Sequence, residues 1–171
     1  EYKKRSVWRD LPLDDWRVLD PLMDIAREFD VPVMTHVNEL VGHVYPGKGE
    51  HGPVRAYRMA IHYQENRFIF PHWGGGLPFY ELMPKARCFL ENVYYDTSAS
   101  LYLYDDAIFR HVTAWAPNKI LLGTDYPLIT QKRFLHRVSS AGLPDETLEL
   151  LLGGNAQRIW SDPVDLTSSK S

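Results

Sequence analysis

Four short apolar runs recur along the chain, each ending on a polar or glycine-rich break: Val31 to His36, Arg67 to His72, Asn92 to Thr97 and Lys119 to Asp125. Within them, stretches such as Ile120 to Leu122 are continuously apolar, the pattern of strands covered on both faces in a parallel sheet. In the first run Pro32, Met34 and His36 alternate onto one side. The intervening segments carry helical spacing instead. After Asp20-Pro21, which reads as an N-cap followed by the first helical residue, Leu22, Ile25, Ala26 and Phe29 form one apolar face. Val54 to Gln64, Leu77 to Leu90 and Asp105 to Trp115 read as further helices, with Pro84 bending or dividing the middle one. Residues 131–160 read as two or three short helices, punctuated by Gly142-Leu-Pro144 and Gly153-Gly154. Strand alternating with helix predicts an α/β fold with a parallel sheet and right-handed crossovers. The whole chain reads as a single domain, 1–171, in which residues 1–18 are a lead-in and 161–171 a frayed tail.

Three of the runs end on groups that carry chemistry: His36, His72 and Asp125. Parallel sheets collect functional side chains at the carboxyl ends of their strands, so these three describe a candidate site. The segment from Val37 to Pro53 is long for a strand-to-helix connection and holds His43, Tyr45, Lys48, Glu50 and His51 among glycines. It is a candidate substrate loop, or on the plainer reading a flexible surface loop. His43, Tyr45, Lys48 and, beside His72, Trp73 are the candidate substrate contacts. Other features read as structural. His62, His111 and His136 fall in helical stretches and should face solvent, and Tyr94, Tyr95, Tyr102 and Tyr104 read as core or rim aromatics. Gly74-Gly-Gly76 fails as a dinucleotide fingerprint because Phe79 stands where the last glycine is required.

Composition narrows the partners. The chain has 171 residues, 44% hydrophobic and 24% charged, enough to bury a core. Lysine and arginine number 19 against 22 acidic residues, a net charge of −3, so no basic excess suggests nucleic acid or an anionic membrane. A single cysteine, Cys88, fits a reducing compartment, and no apolar run approaches the roughly 20 residues of a membrane span, so a cytoplasmic protein is expected.

The ordered set PVMTH, FPHWGGG, NVYYDTSAS, ILLGTDYPL and LLGGNAQRIW, spanning about residues 19–160, resembles the carboxyl-terminal half of the amidohydrolase superfamily. The branch it is most similar to includes aminocarboxymuconate semialdehyde decarboxylase and related metal-dependent hydrolases. The resemblance implies a (β/α)8 TIM-type barrel of which only the last four strand-helix units are present, a half-barrel. It implies one divalent metal ion, zinc or else manganese, with His36 as a ligand on the fifth strand and Asp125 as ligand and general base on the eighth. His72 would orient the water or substrate and donate a hydrogen bond to developing negative charge, while Asp96 would have a supporting role.

Such barrels open with a strand carrying His-x-His, and none of the seven histidines forms that motif. A complete barrel also needs about 250 residues. The chain is therefore expected to be incomplete as an enzyme, to need a missing amino-terminal half or a second copy, and to act on a small-molecule substrate. Hydrolysis of a small, carboxylated or cyclic compound is the leading activity, with non-oxidative decarboxylation as the alternative. A non-catalytic half-barrel that self-associates, and a doubly wound binding domain, are the readings outside enzymology.

Overall fold

The computed structural model describes residues 15–160 except 43, 45–47 and 50. Its strands are β1 (Val33–Met34), β2 (Phe68–Phe70), β3 (Val93–Asp96) and β4 (Ile120–Leu121), paired in parallel in the order β1-β2-β3-β4. The helices are α1 (Trp16–Glu28), α2 (Pro53–His62), α3 (Pro84–Arg87), α4 (Ser100–Leu103), α5 (Ala107–Trp115), α6 (Gln131–Ser139), α7 (Asp145–Glu149) and α8 (Asn155–Ile159). All four expected strands form, each shorter than its apolar run.

Register explains the two-sided burial. Phe68 stands beside Val93, and Phe70 beside Tyr95, which in turn stands beside Ile120. These five side chains therefore share one face, where Met23 of α1, Met59 of α2, Phe109 and Val112 of α5, and Phe134 and Val138 of α6 complete the main core. Burying an aromatic or branched side chain of this size contributes about 1.5–3 kcal/mol. Alternation sends Ile69 and Leu121 to the opposite face, where Ile159 of α8 covers them beside Tyr94 and Ala156. Arg67 clamps that helix by donating to Ile159 O (2.7 Å), and Asn155 Nδ2 donates to Pro117 O and Ile120 O (2.7 and 2.8 Å). A buried polar contact ties the main-core face together: Tyr95 Oη donates to Glu81 Oε1 (2.7 Å), and Lys119 Nζ lies 3.0 Å from Glu81 Oε2.

Helix starts depart from the sequence reading in physical ways. α1 begins at Trp16, with Asp15 as its N-cap and Pro21 inside it, so the expected lead-in ends before residue 15 and Asp20 is not the cap. Trp16 and Leu19 pack on the core, which extends the helix back past the proline. The expected helix from Leu77 to Leu90 is instead a tight-turned segment, His72–Leu82, followed by short α3. The turn α4 was not anticipated. Gly153 is non-helical (φ 166°, ψ −21°) and kinks the chain within the turn Leu150–Gly154 just ahead of α8, so the expected break at Gly153-Gly154 is present. The rest of the expected lead-in and the tail 161–171 lie outside the described residues. Within the described residues no helix is long and apolar enough to cross a membrane.

Candidate active site

Each strand of the sheet hands over to a loop at its carboxyl end, and the candidate groups sit there. His36 follows β1 by two residues and so keeps to the side of the sheet on which Met34 is exposed. His72 follows β2, but alternation does not place it. The backbone turns left-handed at His72 (φ 56°) and stays so through Trp73, Gly74, Gly75 and Gly76 (φ 55°, 55°, 61° and 98°). Two contacts require this turn. Trp73 is driven fully inside, 0% exposed, with its Nε1 donating to Ser100 Oγ (2.7 Å) and its ring edge-on to Phe109. Gly75 meets the preceding loop so closely that a Cβ there would lie 2.4 Å from Asn38 O. Trp73 is therefore a core residue, which corrects its reading as a substrate contact.

The end of β3, Asp96-Thr97-Ser98, holds its neighbours on both sides. Asp96 is 7% exposed, and its Oδ1 accepts from Ser98 N (2.8 Å), from His72 N (3.2 Å) and from Ser98 Oγ. Thr97 Oγ1 donates to Gly123 O (2.9 Å) and accepts from Gly123 N (3.0 Å), which fixes the turn that presents Asp125. Gly123 also packs closely on Asp96: a Cβ there would lie 3.0 Å from the carboxylate carbon and push against it. Asp125 itself is left-handed (φ 61°), and its carbonyl accepts from Leu128 N (2.8 Å).

His36, His72 and Asp125 open onto one cavity of about 760 Å³, whose other lining residues are Ala99, Tyr102, Leu103 and Leu128. The two imidazoles lie edge to face with ring centres 5.0 Å apart. His36 Nε2 is 2.7 Å from Asn38 Oδ1. His72 Nδ1 lies 3.1 Å from Ser98 O and 3.0 Å from Ser98 Oγ. Of the described non-glycine residues with positive φ, His72, Ala99 and Asp125 all line this cavity. Such conformations cost about 1–3 kcal/mol each and persist only where the surrounding structure over-determines them, typically at functional sites. A second hollow, lined by Trp16, Arg58, Ile61 and His62, lies away from the strand ends and gathers no comparable set.

The loop candidates are less central. Lys48 Nζ donates to Val41 O (2.9 Å) within its own loop, and Lys48 is not among the cavity-lining residues. His43 and Tyr45 lie outside the described residues. Tyr104 Oη donates to Glu39 Oε1 (3.2 Å), joining the loops after β1 and β3 at the rim; burial first, then the Glu39 charge, pushes its pKa up. Ala99, Tyr102, Leu103 and Leu128 were missed as site residues. The one signal available was position, since the first three follow a strand end directly and Leu128 sits three residues beyond Asp125.

Imidazole nitrogen and carboxylate oxygen are the donors a zinc-like or manganese-like ion takes. The donor types fit and the number falls short: among the described residues no group of three His, Cys, Asp or Glu stands close enough to hold an ion. His36, His72 and Asp125 are the groups of these donor types that line the cavity.

The family model described as amidohydrolase matches residues 5–161. The chain belongs to the amidohydrolase family. No curated protein matches the chain. Among solved structures, this amidohydrolase resembles 5-carboxyvanillate decarboxylase from Sphingomonas paucimobilis (TM-score 0.69, 16% identity, covering 88% of this chain and 55% of that one). It also resembles an uncharacterised TIM-barrel protein from Bordetella bronchiseptica (0.68, 20%, 88% and 52%). A third is a dihydroxybenzoic acid decarboxylase from a Polaromonas species, with bound manganese and the inhibitor 2-nitroresorcinol (0.66, 20%, 82% and 53%). The chain thus spans about half the length of the structures it matches, and its four-stranded parallel sheet corresponds to half of a TIM barrel.

Proposed function

We propose that this amidohydrolase half-barrel carries the acid-base part of a metal-dependent enzyme that removes a carboxyl group, as CO2, from a small planar acid. The observation that carries the reading is the single cavity into which His36, His72 and Asp125 open against a largely apolar wall of Ala99, Tyr102, Leu103 and Leu128. Such a wall accepts a flat hydrophobic body, and the polar side accepts its charged end. Two of the similar structures are, by name, decarboxylases of substituted aromatic acids, which supports the same substrate class here.

His36 and Asp125 would hold the ion together with ligands from outside the described residues. Bound there, zinc or manganese would polarise an oxygen of the substrate as a Lewis acid. The chain's own groups handle the proton. Loss of CO2 breaks one carbon-carbon bond, leaves its electron pair on the remaining carbon and requires one proton there, with no external oxidant or reductant. Asp125, exposed to the cavity, would take a proton from water or from the incoming acid and pass it to that carbon. The family name favours a second reading, hydrolysis of a C–N or C–O bond at the same site, in which Asp125 takes a proton from water and returns it to the leaving group.

The full-length protein, loaded with manganese or zinc and offered hydroxylated benzoic acids, should release CO2 in step with loss of the acid. Asp125→Asn should lower the rate by about a hundredfold or more. Hydrolysis of amide or ester analogues without any CO2 would replace this reading with the second one.

A further inference from the structure

We infer that Ser98 and Asp96 hold His72 in the tautomer protonated on Nδ1, so that the ring meets the contents of the cavity through a bare Nε2. Which atoms own hydrogens decides the tautomer. Two oxygens face His72 Nδ1, Ser98 O at 3.1 Å and Ser98 Oγ at 3.0 Å. The carbonyl has no hydrogen to give. The hydroxyl has one, and Ser98 Oγ sits against Asp96 Oδ1, a carboxylate oxygen that also takes Ser98 N–H (2.8 Å) and His72 N–H (3.2 Å). A hydrogen bond to a charged acceptor is roughly twice as strong as one between neutral groups, so the serine hydrogen goes to Asp96. Gly123 packs on the same carboxylate and leaves it little access to water. Both oxygens facing the ring are then acceptors, and only a protonated Nδ1 satisfies them.

The other tautomer would set a nitrogen lone pair against two oxygen lone pairs. Neither Ser98 nor Asp96 lines the cavity, so both act through His72 as positioning residues. The consequence alters the role the resemblance implied for His72. A neutral ring held this way accepts a proton or hydrogen bond at Nε2; it donates toward negative charge only after it has become imidazolium. The inference concerns the ring that the proposed function places in the cavity, yet the hydrogen bonding that supports it holds whatever reaction occurs there.

The test is a long-range proton-nitrogen correlation spectrum of the full-length protein labelled with 15N-histidine, recorded without substrate at about pH 8, above the ordinary histidine range. His72→Gln identifies the His72 signals by their disappearance. The expected spectrum shows a protonated Nδ1 and an unprotonated Nε2 for His72. Asp96→Asn, which frees the serine hydrogen to turn toward the ring, should weaken that preference and raise the share protonated on Nε2, while Ser98→Ala and Ser98→Thr, which both leave the backbone carbonyl Ser98 O facing Nδ1, should keep it; circular dichroism establishes that each variant is folded. Protonation on Nε2 in the unaltered protein overturns the inference, and so does an Nδ1 preference left unchanged by Asp96→Asn. Because the readout needs no turnover, an absence of decarboxylation would count against the proposed function and leave this result standing.

Discussion

At the scale of single residues the site is built by backbone that does not relax. His72, Ala99 and Asp125 each hold a left-handed conformation that an L-residue resists, and all three face the same cavity. The strain is held by glycines where chains approach. Gly75→Ala adds a Cβ that would stand 2.4 Å from Asn38 O at a φ of +61°, so either the left-handed turn or the loop carrying His36 and Asn38 has to move. We expect a loss of about 1–3 kcal/mol or more in urea unfolding of the folded full-length protein. Unchanged stability would mean that the turn is not held in this form. The residue types at the strand ends were legible from sequence because His36, His72 and Asp125 each terminate an apolar run. Trp73 was misread for a physical reason: adjacency to His72 suggested the cavity, but a left-handed turn sends consecutive side chains to opposite environments.

At the scale of elements, the sheet and its covering segments are joined through one buried polar group. Glu81 receives Tyr95 Oη from β3 and pairs with Lys119, whose Nζ also donates to Leu90 O (2.6 Å) ahead of β3. Burial, then the Glu81 charge, pushes the Tyr95 pKa well above the ordinary value of about 10. The sign follows directly. Below pH 10 the phenol is protonated in both folded and unfolded chains and contributes no pH dependence. Above it the unfolded chain loses a proton that the folded one keeps, so stability falls with rising pH by up to about 1.4 kcal/mol per unit from this residue. Urea midpoints across pH 9 to 11 should decline beyond about 10, and a flat profile would remove the assignment. None of this contact was readable from the chain, because Glu81, Tyr95 and Lys119 are brought together only by strand pairing. What was readable were the strands themselves, since continuous apolar runs need no partner to be recognised. Helix starts were less legible: Asp20-Pro21 carries a strong local signal, and the packing of Trp16 and Leu19 on the core overrides it.

At the scale of the whole molecule, β1 and β4 are the edges of the sheet among the described residues, and apolar surface remains at α1, where Leu22 and Ile25 are 52% and 54% exposed. Open edges and apolar faces of this kind drive association. Residues 1–171 produced alone are expected to sediment as dimers or larger species at micromolar concentration, and a well-behaved monomer with a cooperative unfolding transition would count against that. The half-barrel was visible in the order of the motifs; the convergence of three strand ends on one cavity was not, because it depends on strand pairing and on the left-handed turns at His72 and Asp125. That convergence is the centre of the account. Its most direct test is the metal content of purified full-length protein, measured by elemental analysis beside His36→Ala and Asp125→Asn. One divalent ion per active site is expected in the unaltered protein, with a marked loss in both variants; equal metal content in all three would contradict a metal held by His36 and Asp125.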